Sequence, residues 1–185
     1  MKTNKSLLLL LTLPFFVMSC KKNVSHEITM AKIHMLNEAQ LIEMDCGHIH
    51  DFWRTTINAR YGAYVDRKGG WISESSSSGG HGVFVCDFNE ALSYYLRGEQ
   101  HKYLTEQIDA YQDSCKFYIA KLKDAKSSQQ KACEQVRIAY RALQSYEQCS
   151  SDPTGSLMTY TRDCNEKQSR FIDEYREIDN ILEFE

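Results

Sequence analysis

From Ile28 to Tyr64 the apolar residues follow one another in steps of three or four. Ile28, Ala31, Met35, Ala39 and Ile42 lead on through Cys46, Ile49, Trp53, Ile57, Tyr61 and Tyr64. That spacing traces one face of a helix and predicts a helix over about 28–66, interrupted at most weakly by Gly47. A stripe of this length needs partner helices to cover it. Only two prolines occur, Pro14 and Pro153, and the glycines gather around 69–82, so the sequence leaves room for long helices elsewhere.

The same step returns further along. Leu92, Tyr95 and Leu96 open a second pattern that starts near Val85 or Phe88, with Gly98 placed to cap or kink it, since glycine costs about 1 kcal/mol relative to alanine inside a helix. The face resumes through Leu104, Ile108, Tyr111, Cys115, Tyr118 and Leu122. Across 123–130 the apolar signal fades, and Ser127 with Gln130 fits a capping box that would start a new helix. One continuous helix is the rival reading, because Ala125, Gln129, Ala132 and Val136 keep the same step. Cys133, Val136, Tyr140, Leu143 and Tyr146 form the next face. Asp152 and Pro153 then suit the N-cap and first position of a last helix, which carries Leu157, Tyr160, Cys164, Phe171, Tyr175, Ile178 and Leu182. No alternating strand of any length is evident. The expected fold is all-α: an elongated antiparallel bundle of three to four long helices, with helical hairpins clamped by disulfides. Residues 28–185 form its single domain. Residues 68–82, KGGWISESSSSGGHG, are too rich in Ser and Gly to bury much surface and are expected to be a flexible loop.

The beginning of the chain is of another kind. Lys2 and Lys5 precede twelve uncharged residues, Leu7 to Met18, and the small Ser19 stands before Cys20. Twelve residues fall short of the roughly 20 that span a bilayer, so the run is expected to be a processing signal. The ending Val17-Met18-Ser19-Cys20 resembles the lipobox of bacterial lipoproteins. The resemblance covers the first 20 residues only. It implies a signal peptide over 1–19, lipid on Cys20, an anchor and tether over 20–27, and residence in the cell envelope. Lys21 differs from the aspartate that commonly signals inner-membrane retention in the lipoproteins of enteric bacteria, so the outer membrane is the expected site.

Removal of residues 1–19 would leave 166 residues, enough for one domain with a core, and 20 basic side chains against 25 acidic ones, a balance of −5. An acidic chain without a basic face is not expected to bind nucleic acid. Lipid chains on Cys20 would supply membrane attachment instead.

Six further cysteines, Cys46, Cys86, Cys115, Cys133, Cys149 and Cys164, make an even number, as expected for an exported disulfide-bearing chain. Cys115 and Cys133 are symmetric about residue 124, inside the proposed turn, and Cys149 and Cys164 flank the Pro153 turn. Sequential pairing is therefore favoured, which leaves Cys46 for Cys86. Other pairings stay open, as do buried free thiols.

Candidate chemistry is sparse. In MDCGHIHDFW, residues 44–53, Cys46 and His50 are four apart and share a helix face, a spacing that suits copper or zinc. Yet Cys46 also belongs to the apolar stripe, and a core position is the favoured reading, with no cofactor expected. No G-x-S-x-G, H-E-x-x-H or papain-like cysteine context occurs, and carboxylates such as Asp173, Glu174, Glu177 and Asp179 are spread like a solvated face. Enzyme activity is not expected. Trp71, an aromatic on a polar loop, is the candidate contact residue for a protein partner. The functional expectation is a lipid-anchored envelope protein that binds or scaffolds an envelope partner. The alternatives are an inhibitor or immunity lipoprotein directed at an envelope-active enzyme or toxin, and a copper- or zinc-binding envelope protein.

Overall fold

The computed structural model describes residues 22–58, 63–66, 71–72, 82–85 and 88–184. Residues 1–21, which hold the expected signal peptide and Cys20, lie outside the described residues, as do Cys86 and most of 68–82. Five α-helices dominate: α1 (Ser25–Asn58), α2 (Phe88–Leu96), α3 (Glu99–Ala120), α4 (Gln130–Ser151) and α5 (Leu157–Phe184). A small antiparallel sheet lies between α1 and α2 in the chain, built of β1 (Ala63–Asp66), β2 (Trp71–Ile72) and β3 (Gly82–Val85) in the order β2-β1-β3. No described helix is long and apolar enough to cross a membrane.

The long helices form a rhombic bundle. α1 packs most extensively on α3, α4 on α5, and α1 on α4, whereas α3 and α5 sit at the outer corners. Directions follow from the bonds between them. Near its start α1 meets the end of α3 through Cys115 Sγ and Ala31 O, and near its end it meets the start of α3 through Asp45 and His101. α1 therefore runs antiparallel to α3. It runs parallel to α4, since Val24 bonds to Gln129 and Asp45 to Ser150. α5 runs antiparallel to both, as Gln135–Glu174 and Lys32–Asp179 require.

Position in the rhombus explains how wide each apolar stripe is. α3, at a corner, buries only Leu104, Ile108 and Cys115, while α4, near the centre, buries half its residues, among them Ala132, Ala139 and Ala142. α1 buries the expected stripe from Ile28 through Trp53.

Several boundaries differ from those the sequence predicts. α1 ends at Asn58, and Tyr64 belongs to β1, paired with Ile72 and Phe84. Val65, Val83, Phe84 and Val85 are β-branched or aromatic and suit a pleated surface, but strands of four residues hold too few alternations to reveal themselves. Trp71, Ile72 and Gly82, assigned to the flexible loop, and Val85, assigned to a helix start, are likewise strand residues. Gly98 separates α2 from α3, with φ −73° and ψ 158°.

The 123–130 segment is a turn. Two 3-10 stretches, Lys121–Asp124 and Ser127–Gln129, flank Ala125. Ser127 lies within the second 3-10 stretch, and Gln129 occupies the α4 N-cap, without a side-chain cap bond. Its amide ties down the segment that leads into α1, accepting from Val24 N–H at 3.0 Å and donating to Asn23 Oδ1 and Ser25 Oγ. Lys22 N–H donates to Asp124 O, and Lys22 O accepts from Lys126 N–H, so the chain enters the bundle as a short parallel bridge against Ala125.

The last turn also differs. Asp152 caps the end of α4, its N–H donating to Gln148 O. Ser156, not Asp152, caps α5, its Oγ accepting from Thr159 N–H at 3.3 Å. Gly155 between them has φ +94°, a left-handed conformation open to glycine at little cost.

Candidate functional site

The segment Met44–Trp53 organises the end of the bundle opposite the chain entry. Asp45 projects from α1 at 0% exposure and is met from three other helices. Tyr95 of α2 donates its hydroxyl to Oδ1, and Ser150 of α4 donates its hydroxyl to Oδ2. His101 of α3 lies with Nδ1 2.9 Å from Oδ2 and 3.1 Å from Oδ1. Carboxylate oxygens only accept here, so the His101 proton belongs on Nδ1. Burial first, and then the Asp45 charge, hold the Tyr95 hydroxyl far above its ordinary pKa, so Tyr95 remains a donor. Phe52 closes over Tyr95 with ring centres 4.9 Å apart, and Gln100 donates its side-chain amide to His48 Nε2 at 2.7 Å.

A serine, a histidine and an aspartate thus converge, but not as a nucleophile, its base and an orienting acid. In that arrangement the serine faces the histidine; here the Ser150 hydroxyl donates its hydrogen bond to Asp45. The network's geometry serves to join four helices.

On the other side of α1, Cys46 enters a second cluster with Cys149 of α4 and Cys164 of α5. The Cys164 thiol lies in hydrogen-bonding contact with those of Cys149 and Cys46 and with the Tyr160 hydroxyl. Tyr160 donates to Cys149 O at 3.1 Å and packs on Trp53, 5.1 Å between ring centres. Cys46, His50, Tyr160 and Cys164 line a cleft of about 180 Å³ between α1 and α5. The structure therefore brings together the two weak metal candidates, Cys46 and His50. Among the described residues, however, no group of three or more His, Cys, Asp or Glu side chains is arranged to hold a metal ion.

Cys46, Cys115, Cys149 and Cys164 stand as free thiols, and Cys133 is buried. Cys115, matched with Cys133 by symmetry about residue 124, points across at α1: its Sγ lies 3.9 Å from Ala31 O and donates to Glu38 Oε2 at 3.6 Å. The helices flanking that turn are not the closely packed pair, because α1 is the main neighbour of α3. Trp71 is placed by its backbone in β2, opposite Val65; its side chain lies outside the described residues.

Glu38 and Asp45 went unnoticed in the sequence, although a signal was present. Each stands three residues after one core position and four before another, Met35 and Ile42 for Glu38, Ile42 and Ile49 for Asp45, and directly before a third, Ala39 or Cys46. Glu38 is also fully buried. Among the described residues, its Oε1 and the hydroxyl of Tyr140 have no hydrogen-bond partner, nor has Nδ1 of His34, which stacks on Tyr118. Burial pushes the Glu38 carboxyl up to about 8, against a lowering by the Cys115 bond, and nearby Glu147 adds to the rise. At neutral pH Glu38 is a neutral acid.

Comparison with protein-family models, with curated proteins and with solved structures finds no match to this chain.

Two outcomes test these clusters. Asp45→Ala leaves a buried phenol, hydroxyl and imidazole without their acceptor, and should cost about 3 kcal/mol in urea unfolding; a loss below about 1 kcal/mol would show that the network holds little together. Glu38 keeps its proton in the folded state and loses it near 4.5 when unfolded. Its contribution is full below that value and declines as pH rises towards 8, by at most about 1.4 kcal/mol per pH unit. Glu38→Gln should remove that component, so variant and wild type unfold alike near pH 4.5 and diverge above it, the variant being the more stable. Parallel stability profiles across this range would refute the assignment.

Proposed function

We propose that the protein is a non-catalytic binding module of the bacterial envelope, anchored by lipid on Cys20 and engaging a protein partner with the end of the bundle farthest from the anchor. The observation that carries the reading is the clamp at chain entry. Lys22 is bridged to Ala125, and Val24 to Gln129, so a lipid two residues before Lys22 would hold the Ala125 end against the membrane. From there α1 runs for 34 residues, about 50 Å at 1.5 Å per residue, before the chain enters the sheet that carries Trp71. An outer-membrane anchor would thus project this sheet well clear of the lipid. Disulfides clamping the far end belong to the same reading, and the contact between the Cys149 and Cys164 thiols across the α4–α5 turn supports one such clamp. Partner capture would depend on the sheet end and not on aromatic surface near the membrane, such as Phe117, which is exposed beside the Lys121 ammonium.

Fractionation tests the anchor: Cys20→Ser should move the protein out of the membrane fraction, and retention there would overturn the lipid assignment. Quantitative co-purification from envelope extracts tests the binding end. Trp71→Ala should weaken capture of the partner by about 2 kcal/mol or more while changing stability by no more than about 0.5 kcal/mol. Phe117→Ala should leave capture unchanged. A partner held equally by wild type and Trp71→Ala, or lost on Phe117→Ala, would dismiss the proposed face.

A further inference from the structure

Three buried thiols on three helices meet at one point, yet a disulfide takes only two. Cys164 is common to both contacts: its thiol touches Cys149, fifteen residues before it and across the α4–α5 turn, and it touches Cys46, far away in sequence on α1. The three residues are 5–9% exposed. Their surroundings are tyrosine-rich, with Tyr160 lying in hydrogen-bonding contact with Cys46 and Cys164 and Tyr146 lining the same cleft. We infer that Cys164 is the shared member of an oxidisable three-thiol site, pairing with either Cys149 or Cys46, so that one of these three cysteines always remains a thiol.

The inference departs from sequential pairing, which would give Cys46 to Cys86. The cleft explains how an oxidant arrives. Cys46 and Cys164 line it, and Cys149 does not. An external organic disulfide such as glutathione disulfide is attacked by the Cys164 or Cys46 sulfur. One glutathione leaves as thiol, and a mixed disulfide forms. A neighbouring protein thiol then displaces the second glutathione. Two protein thiols have become one protein disulfide, and one glutathione disulfide has become two glutathione thiols. The third cysteine can still exchange: if Cys46 attacks Cys164 in a Cys149–Cys164 disulfide, Cys149 leaves and takes up the proton that Cys46 gives up. Attack by Cys164 on the external disulfide is slow at neutral pH. The bond from Cys149 favours a Cys164 thiolate, but the bond with Cys46, burial and the Cys46 sulfur together push the thiol up to about 12, and the attacking species is the thiolate.

The experiment uses the reduced, folded mature chain, oxidised in glutathione disulfide at mildly alkaline pH, alkylated and mapped by peptide mass spectrometry. Wild type should show Cys164 linked to Cys149 or to Cys46, with the unlinked member of the trio alkylated after denaturation. Cys149→Ser should move the link wholly to Cys46–Cys164, and Cys46→Ser wholly to Cys149–Cys164. Cys164→Ser should leave both Cys46 and Cys149 as thiols. A wild-type link between Cys46 and Cys86 overturns the inference, as does a wild type in which Cys164 takes up no protein disulfide. So does a Cys149→Ser chain in which Cys164 stays unpaired while its circular dichroism matches wild type. Should a variant misfold, the wild-type map alone decides.

Discussion

One buried carboxylate holds the far end of this molecule together. Asp45 accepts from Tyr95, His101 and Ser150, and so joins α1 to α2, α3 and α4 at a single point. A buried carboxylate must be compensated by donors or it destabilises the fold, so the arrival of three helices at one place is a requirement as much as a result. Gly98 makes the convergence possible. Tyr95 stands in the last turn of α2 and His101 in the first turn of α3, and an uninterrupted helix would place them, six residues apart, on different faces. The extended conformation at Gly98, whose N–H donates to Tyr95 O at 2.8 Å, turns the chain so that both reach Asp45.

The opposite end is fixed by different means. There the backbone of Lys22 and the amide of Gln129 do the joining, with Leu122 and Ala125 buried beneath them. Because α1 and α4 are parallel, α1 begins beside the α3–α4 turn and the far end gathers the α1 terminus, α2 and the α4–α5 turn. The thiol cluster lies at that far end because Cys46 stands in the later half of α1, Cys149 at the end of α4 and Cys164 near the start of α5. Cys115 is excluded from it by sitting on α3, across α1.

Much of the helical body was legible in the sequence. The stripe from Ile28 to Trp53 is the buried face of α1, and the Gly98 break and the 123–130 turn stand where the apolar pattern weakened. The sheet was not legible, because Tyr64 happens to continue the helical step and the strands are two to four residues long. Cap positions also misled. Ser127 and Asp152 have the right chemistry for N-caps, but neither starts a long helix; Gln129 and Ser156 hold those places, and the φ of Gly155 sets the second. At the candidate site, Cys46 and His50 were correctly seen to share a face. The nearness of Cys46 to Cys164 was hidden, since it depends on α1 and α5 being antiparallel neighbours, which no local pattern encodes. Asp45 and Glu38 were hidden for a subtler reason: charged residues on an apolar stripe read as its border until the partners that bury them are known.

Those two acids occupy equivalent places and have opposite consequences. They are seven residues apart on one face of α1, in register with Ala31 and Phe52, and both are wholly buried. Asp45 meets two hydroxyls and an imidazole. Glu38 meets one thiol, a weak donor, and leaves Oε1 unpaired beside a tyrosine whose hydroxyl is also unpaired. The difference follows from composition at the facing positions, Tyr95, His101 and Ser150 at the far end against Cys115 and Tyr140 in the middle. A carboxyl with so little compensation is better buried neutral than ionised, and keeping its proton ties the stability of the mid-bundle to pH. The far end is held by directional bonds that specify a single arrangement, whereas the middle relies on apolar packing around an acid that resists ionisation.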